Sequence, residues 1–264
     1  VSEISPSTTE SALRYVPNIN TPIPTPIPVL NYHHLLQSSE MTMAQKLNDT
    51  IISVEKFEND MAYLHSIGAQ TLTMKQFESH MTGEWTAPEN SIVITFDDGY
   101  LSVFRYAYPI LKKYGFSASI FVVTSILNDQ PANWDPTETV KVSWPEMKAT
   151  EDIFEYHAHS HDLHKLNETG IPIASTMDVA TLGEDLQRAT DLLDDWGFNQ
   201  LRIYAYPFGE YDEDMDLVLK AFNYTLAFEM GDESAVLEDY PYRLKRYGIF
   251  PYTGPLEFDA MLHN

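Results

Sequence analysis

The run SIVITF, Ser91 to Phe96, is apolar at almost every position, so as a strand it has no face to offer to water. Such a strand needs cover on both sides, and helices packed over a parallel sheet supply it. The same kind of run recurs along the chain. VLNYH from Val29, ASIFVV from Ala118, IFEYH from Ile153, LRIYAY from Leu201, YTLAF from Tyr224 and RLKRYGIF from Arg243 all read as strands. Between them lie helical stripes. Phe57, Met61 and Leu64 form one, closed by Gly68, and Val103, Ala107, Ile110, Leu111 and Tyr114 form another, ended by Gly115. A third runs from Val179 through Leu182, Leu186, Ala189 and Leu193 to Gly197, and a shorter one covers Leu217 to Phe222. Thr73 with Gln76, and Ser143 with Glu146, have capping-box spacing and open two further helices. Strand–helix alternation repeated this often predicts an α/β fold closed into a barrel or near-barrel, with its functional groups at the carboxyl ends of the strands.

Residues 1–28 do not share this pattern. They are rich in Ser, Thr and Pro, and TPIPTPIP favours extended polyproline backbone that cannot enter a sheet interior. The expected organisation is a tether over 1–28 and one catalytic domain over 29–264. No apolar run approaches the length of a membrane span, and a chain opening on Val1 is expected to follow a removed leader or anchor.

SIVITF runs straight into Asp97, Asp98 and Gly99. Two carboxylates at the end of a buried strand suit a site, although Asp-Gly is also a common turn and Asp98 could simply cap the next helix. Neighbouring side chains on an extended strand point to opposite sides, which is poor geometry for flanking one glycosidic bond. One carboxylate for a metal and one for a proton suits the adjacency better. The segment HAHSHDLH, His157 to His164, supplies imidazoles at the end of another predicted strand. There is no cysteine, so any metal must be held by imidazole and carboxylate. The formal charge of −23 argues against nucleic acid or an anionic membrane surface as partner and favours a neutral or cationic ligand.

TFDDG (Thr95–Gly99), HSHDLH (His159–His164) and YPFG (Tyr206–Gly209) together resemble the polysaccharide deacetylases of the NodB-homology type, carbohydrate esterase family 4. NYHH (Asn31–His34), the H-S-x-D-L-H spacing and AYPFG make the chain most similar to the exported poly-β-1,6-N-acetylglucosamine deacetylases of the intercellular-adhesin type. The likeness runs from Val29 to about Phe258.

The resemblance implies a distorted (β/α) barrel with Asp98, His159 and His164 as ligands of one divalent ion. Zinc is the expected metal, with cobalt, nickel or manganese as alternatives. It implies Asp97 as catalytic base and the Phe208 backbone N–H at the oxyanion, with Tyr206 and Gly209 beside it at the substrate. The wider family's base-orienting Arg falls on Ala205, and its late His is absent from LKRYG (Leu244–Gly248). The adhesin-type enzymes are similar to this chain in both respects and take the acid from the early Tyr-His motif, which implies His33 as general acid, with His34 as the alternative. Arg246 is the candidate replacement for the missing Arg, a surface salt bridge being equally compatible with it. Trp134, Trp144, Tyr206 and Tyr247 are candidates for sugar-stacking walls or for core. The expected function is metal-dependent removal of N-acetyl groups from a β-linked N-acetylglucosamine polymer of a bacterial cell surface or biofilm matrix. The alternatives are a deacetylase of peptidoglycan, chitin oligomers or an O-acetylated glycan, and a non-catalytic carbohydrate-binding protein on the same fold.

Overall fold

The computed structural model describes residues 25–198, 201–237 and 239–263. Strands β1 (Val29–Tyr32), β2 (His34–Leu36), β3 (Ile51–Ser53) and β4 (Gln70–Thr71) are followed by the long β5 (Ser91–Asp97). Then come β6 (Ala118–Val122), β7 (Phe154–Ala158), β8 (Ile203–Ala205), β9 (Leu226–Phe228) and β10 (Tyr247–Gly248). The main sheet runs β10-β1-β5-β6-β7-β8-β9, with β4 beside the start of β5, and every pair in it is parallel. Parallel bridges Phe228–Leu244 and Gly231–Tyr247 carry the last segment from β9 across to β10 and curl the sheet towards closure. The continuous apolar strands are thereby explained: one face meets the helices and the other meets the barrel interior.

The two faces alternate residue by residue. Phe154, Tyr156 and Ala158 of β7 pack in the outer layer with the helices. Val29, Val93, Phe121, Ile203, Ala205, Phe228 and Leu244 fill the interior. Helix α1 (Val54–Ser66) lies outside the sheet and buries Phe57, Met61 and Leu64, as its stripe requires. Helix α2 (Met74–Met81), opened by the expected Thr73–Gln76 capping box, plugs the lower end with Met74, Phe77 and Met81. Glu155 points inward from β7 and accepts from the Met74 backbone N–H at 2.7 Å, a carboxylate at the start of α2.

The remaining helices are α3 (Tyr108–Tyr114), α4 (Trp144–Lys148), α5 (Val179–Asp195), α6 (Glu213–Ala221) and α7 (Pro255–Met261). Two differ from the sequence reading. The stripe from Val103 begins as a π-turn over Val103–Ala107, where the extra residue per turn buries Val103, Phe104, Tyr106 and Ala107 together. Helix α6 starts four residues before Leu217, because Asp212 caps it by accepting from Asp214 and Met215. The short strands β2 and β3 pair outside the main sheet and carry too little pattern to be read in advance.

Most of the expected tether, residues 1–24, lies outside the described residues. Its last part does not behave as a tether: Ile27 is fully buried and pairs with Ala235, and the Pro28 carbonyl accepts from Val93. Alternate prolines leave Ile27 with a free N–H, which is what the bridge uses. Among the described residues no helix is long and apolar enough to cross a membrane.

Candidate active site

The inward column of side chains rises from Phe77 through Phe121 and Phe228 to a fully buried arginine, Arg246. Its guanidinium lies over the rings of Phe121, 5.2 Å away, and Phe228, 5.9 Å away. From there it forks onto Asp97, Nη1 to Oδ1 and Nη2 to Oδ2, both at 2.8 Å. Nη1 also reaches Asn31 Oδ1 at 3.1 Å, and the Asn31 amide donates to Asp97 Oδ2 at 2.9 Å. The surface salt bridge that the sequence left open for Arg246 is thus excluded by its burial. Burial alone would raise the Asp97 pKa, but Arg246, then His159 and His33, hold it well below the usual carboxylate range.

Asp97 is the last residue of β5 and faces inward, so a straight continuation would send Asp98 the other way. The chain instead turns left-handed at Asp98 (φ 71°) and again at Gly99 (φ 68°). Only glycine adopts the second position without strain, and a Cβ there would meet the Leu127 side chain at 3.1 Å. The turn brings both carboxylates to one imidazole: His159 Nε2 is 4.0 Å from Asp97 Oδ2 and 3.8 Å from Asp98 Oδ1. The Asp98 backbone is held by Lys141, whose Nζ donates to its carbonyl at 3.1 Å and sits 3.4 Å from the centre of the Tyr100 ring. Burial lowers the Lys141 pKa to about 8.

Asp98, His159 and His164 each direct one ligand atom into a common space, with all three atoms within 4.8 Å of one another. His164 Nε2 is 3.5 Å from Asp98 Oδ1. Ligands at about 2.1 Å around a tetrahedral ion stand about 3.4 Å apart, so these separations fit a first-row divalent cation. Asp98 Oδ1 is buried and takes no hydrogen bond, as an atom reserved for a cation would be. The His159 Nδ1–H donates to the Ala205 carbonyl at 2.8 Å, which leaves Nε2 as the free lone pair. Burial lowers the His159 pKa to about 4, so that lone pair is unprotonated at neutral pH.

The other histidines of HAHSHDLH point elsewhere. His161 bonds Thr124 through Nδ1 at 2.9 Å. His157 is buried inside the barrel against Phe121, two residues below His159 on the same face. Ser160 adopts φ 84°, and its buried hydroxyl oxygen makes no hydrogen bond.

His33 and His34 divide at the end of β1. His33 is partly exposed and its Nε2 is 3.8 Å from Asp97 Oδ2. His34 is buried, stacked on Tyr100 at 4.7 Å, and bonded to Ser102 Oγ at 2.7 Å. Burial, with Lys141 nearby, lowers its pKa to about 4.

Phe208 sits at φ 59° in the turn after Tyr206, and its ring stacks on His164 at 4.3 Å. Gly209 follows at φ 71°, where a Cβ would come within 2.1 Å of Met230 Cγ, so the turn accepts no other residue. The Tyr206 side chain does not reach a substrate. It is 1% exposed and its hydroxyl donates to Asp216 at 3.0 Å, because the strand alternation that turns Ala205 inward turns Tyr206 to the outer layer. Trp144, stacked on Trp196, and the buried Tyr247 are likewise core, and Trp134 packs edge-on against Tyr106.

Asn31, Thr95 and Lys141 contribute to the site without having been singled out from sequence. A polar Asn inside the apolar run VLNYH was the available signal for the first, since buried amides are rarely left without a task.

Residues 85–227 match a family model described as polysaccharide deacetylase. A poly-β-1,6-N-acetyl-D-glucosamine N-deacetylase of Staphylococcus aureus is 26% identical over 225 residues, covering 82% of this chain and 76% of that protein. Among solved structures, the Streptococcus pyogenes deacetylase PplD in complex with acetate superposes with a TM-score of 0.78 at 21% identity, over 90% of this chain and 99% of that one. IcaB from Ammonifex degensii gives 0.75 at 24%, over 90% and 97%. At those identities the two structures establish the curled parallel barrel. The family match spans the strand that ends in Asp97 and Asp98, the whole histidine segment and the Phe208 turn, and the chain accordingly belongs to the polysaccharide deacetylase family of hydrolases.

Proposed function

We propose that this protein is a metal-dependent N-deacetylase of a β-linked N-acetylglucosamine polymer, with the β-1,6-linked polymer as preferred substrate. The observation that carries the reading is the pairing of two unlike carboxylates on one imidazole: Asp98 in a ligand set with His159 and His164, and Asp97 held by Arg246. An ester would need less. An amide is a poor electrophile with a poor leaving group, and its hydrolysis asks for a base, an oxyanion donor and an acid.

Asp98, His159 and His164 would hold a divalent cation, zinc first and cobalt, nickel or manganese after it, which would supply Lewis acidity toward a water and the acetyl carbonyl. Asp97, ionised and fixed by three donors from Arg246 and Asn31, takes the proton of the attacking water. The Phe208 N–H, in a turn that Gly209 permits, faces the developing oxyanion. His33, on the same rim, gives a proton to the departing amine nitrogen.

The linkage preference rests on the resemblance to the Staphylococcus aureus protein, and the location follows from the substrate: an exported or surface-associated enzyme. Acetate release by metal-loaded protein from β-1,6 and β-1,4 oligomers tests the reading. Faster release from β-1,6 oligomers is expected. Preference for β-1,4 oligomers would move the substrate to chitin or peptidoglycan, and release from acetyl esters alone would overturn N-deacetylation.

A further inference from the structure

Tyr252 is 65% exposed, more than any other aromatic ring among the described residues, and it stacks on Phe250 with centroids 5.3 Å apart and planes 15° from parallel. The pair stands at the barrel mouth. Phe250 follows β10, whose Gly248 is the register partner of Asn31, the residue that bonds Asp97. Arg246 and Gly248 lie on the same side of the strand. A Cβ at Gly248 would come within 2.6 Å of the Phe250 ring and 2.9 Å of Met230 Cε, so the glycine makes room for that ring beside the base. Beyond Tyr252 a groove of about 580 Å³ runs between α1 and α7. Its walls include Pro255, the 88% exposed Leu256 and Phe258, with Asn59 and Asp259 supplying polar edges.

We propose that the Tyr252–Phe250 stack is a sugar-binding platform, and that the groove beyond it receives the N-acetylhexosamine units of the glycan chain next to the unit being deacetylated. This rests on the N-deacetylase reading. A pyranose offers a flat C–H face, which the negative face of an aromatic ring attracts, and a rim of hydroxyls that amides and carboxylates can bond. The groove's one lysine, Lys56, is paired with Asp60 at 3.0 Å, so the lining suits a neutral glycan and not an anionic one. The chain itself links groove and site: Phe250 packs against Gly248, the register partner of Asn31, and Pro251 and Tyr252, the next two residues, line the groove.

The test measures kcat/KM for acetate release from β-linked N-acetylglucosamine oligomers of two to six units. In the metal-loaded wild type the value is expected to rise with length. Tyr252→Ala should lose about five- to tenfold on the hexamer and much less on the dimer, and Tyr252→Phe, which keeps the ring, should recover the hexamer rate. Leu217→Ala, an exposed change on α6, is the control and should follow the wild type. Equal losses by Tyr252→Ala on dimer and hexamer, or none on either, would overturn the platform while leaving the deacetylase reading intact. Wild-type protein that hydrolyses an activated acetyl ester yet releases no acetate from any oligomer would overturn the deacetylase reading and the platform with it.

Discussion

Arg246 closes a two-pronged ion pair on Asp97 across 149 residues of sequence, both contacts at 2.8 Å and both partners buried. The pair fixes the carboxylate's direction and keeps it ionised, at the cost of making it a weaker base.

Arg246→Gln should move the acid limb of kcat/KM to higher pH, because the charge that most lowers the Asp97 pKa is removed while burial, which raises it, stays. Stability should fall by about 3–5 kcal/mol, since a buried carboxylate loses its partner. A pH–rate profile and denaturant unfolding check the two effects, and an unmoved acid limb would remove Arg246 from control of the base.

Asp98→Ala, His159→Ala and His164→Ala should each lose bound metal, while His161→Ala, whose ring is engaged with Thr124, should keep it. Metal content per chain after dialysis is the measurement. Loss from His161→Ala with retention in His164→Ala would reverse the ligand assignment.

Asp97→Asn should retain the metal and lose about a hundredfold or more in turnover, the scale of removing a general base. The comparison needs metal content and kcat on the same preparation. Metal lost together with activity would make Asp97 a ligand.

His33→Ala should slow amide hydrolysis severely and spare an activated ester, whose leaving group needs no proton. His34→Ala should act differently, through stability, because it leaves Ser102 and Tyr100 without their buried partner. Equal loss on both substrates in His33→Ala would end its role as acid.

His157 should make the protein acid-sensitive well above the range of its carboxylates. Burial lowers its folded pKa from the ordinary 6.5 to about 4, so the folded state resists a proton that the unfolded chain accepts. Its stabilising contribution is complete above pH 6.5 and is lost between there and about pH 4. That loss is on the order of 3 kcal/mol. Denaturant unfolding at several pH values should show a shallower decline in His157→Leu than in the parent, and identical slopes would contradict the neutral buried state.

The strands, the helix stripes and both capping boxes were legible because each is written in neighbouring residues: an apolar run, a 3.6-residue period, a hydroxyl three residues before a Glu or Gln. TFDDG, HSHDLH and YPFG were legible for the same reason, since each motif lies on one strand end or one turn. What the sequence could not decide is what crosses between strands. The choice of Arg246 as partner for Asp97 depends on the last segment swinging from β9 to β10 and aiming alternate residues inward. The split between His33 and His34 depends on the break between β1 and β2, where His33 faces Asp97 and His34, opening β2, faces Tyr100 and Ser102. Tyr206 was misread as a substrate contact because a motif names a residue without giving its side, and in a strand one position decides between site and core. Local pattern is set by bonds along the chain, whereas the partners of a buried charge are set by the closure of the whole sheet.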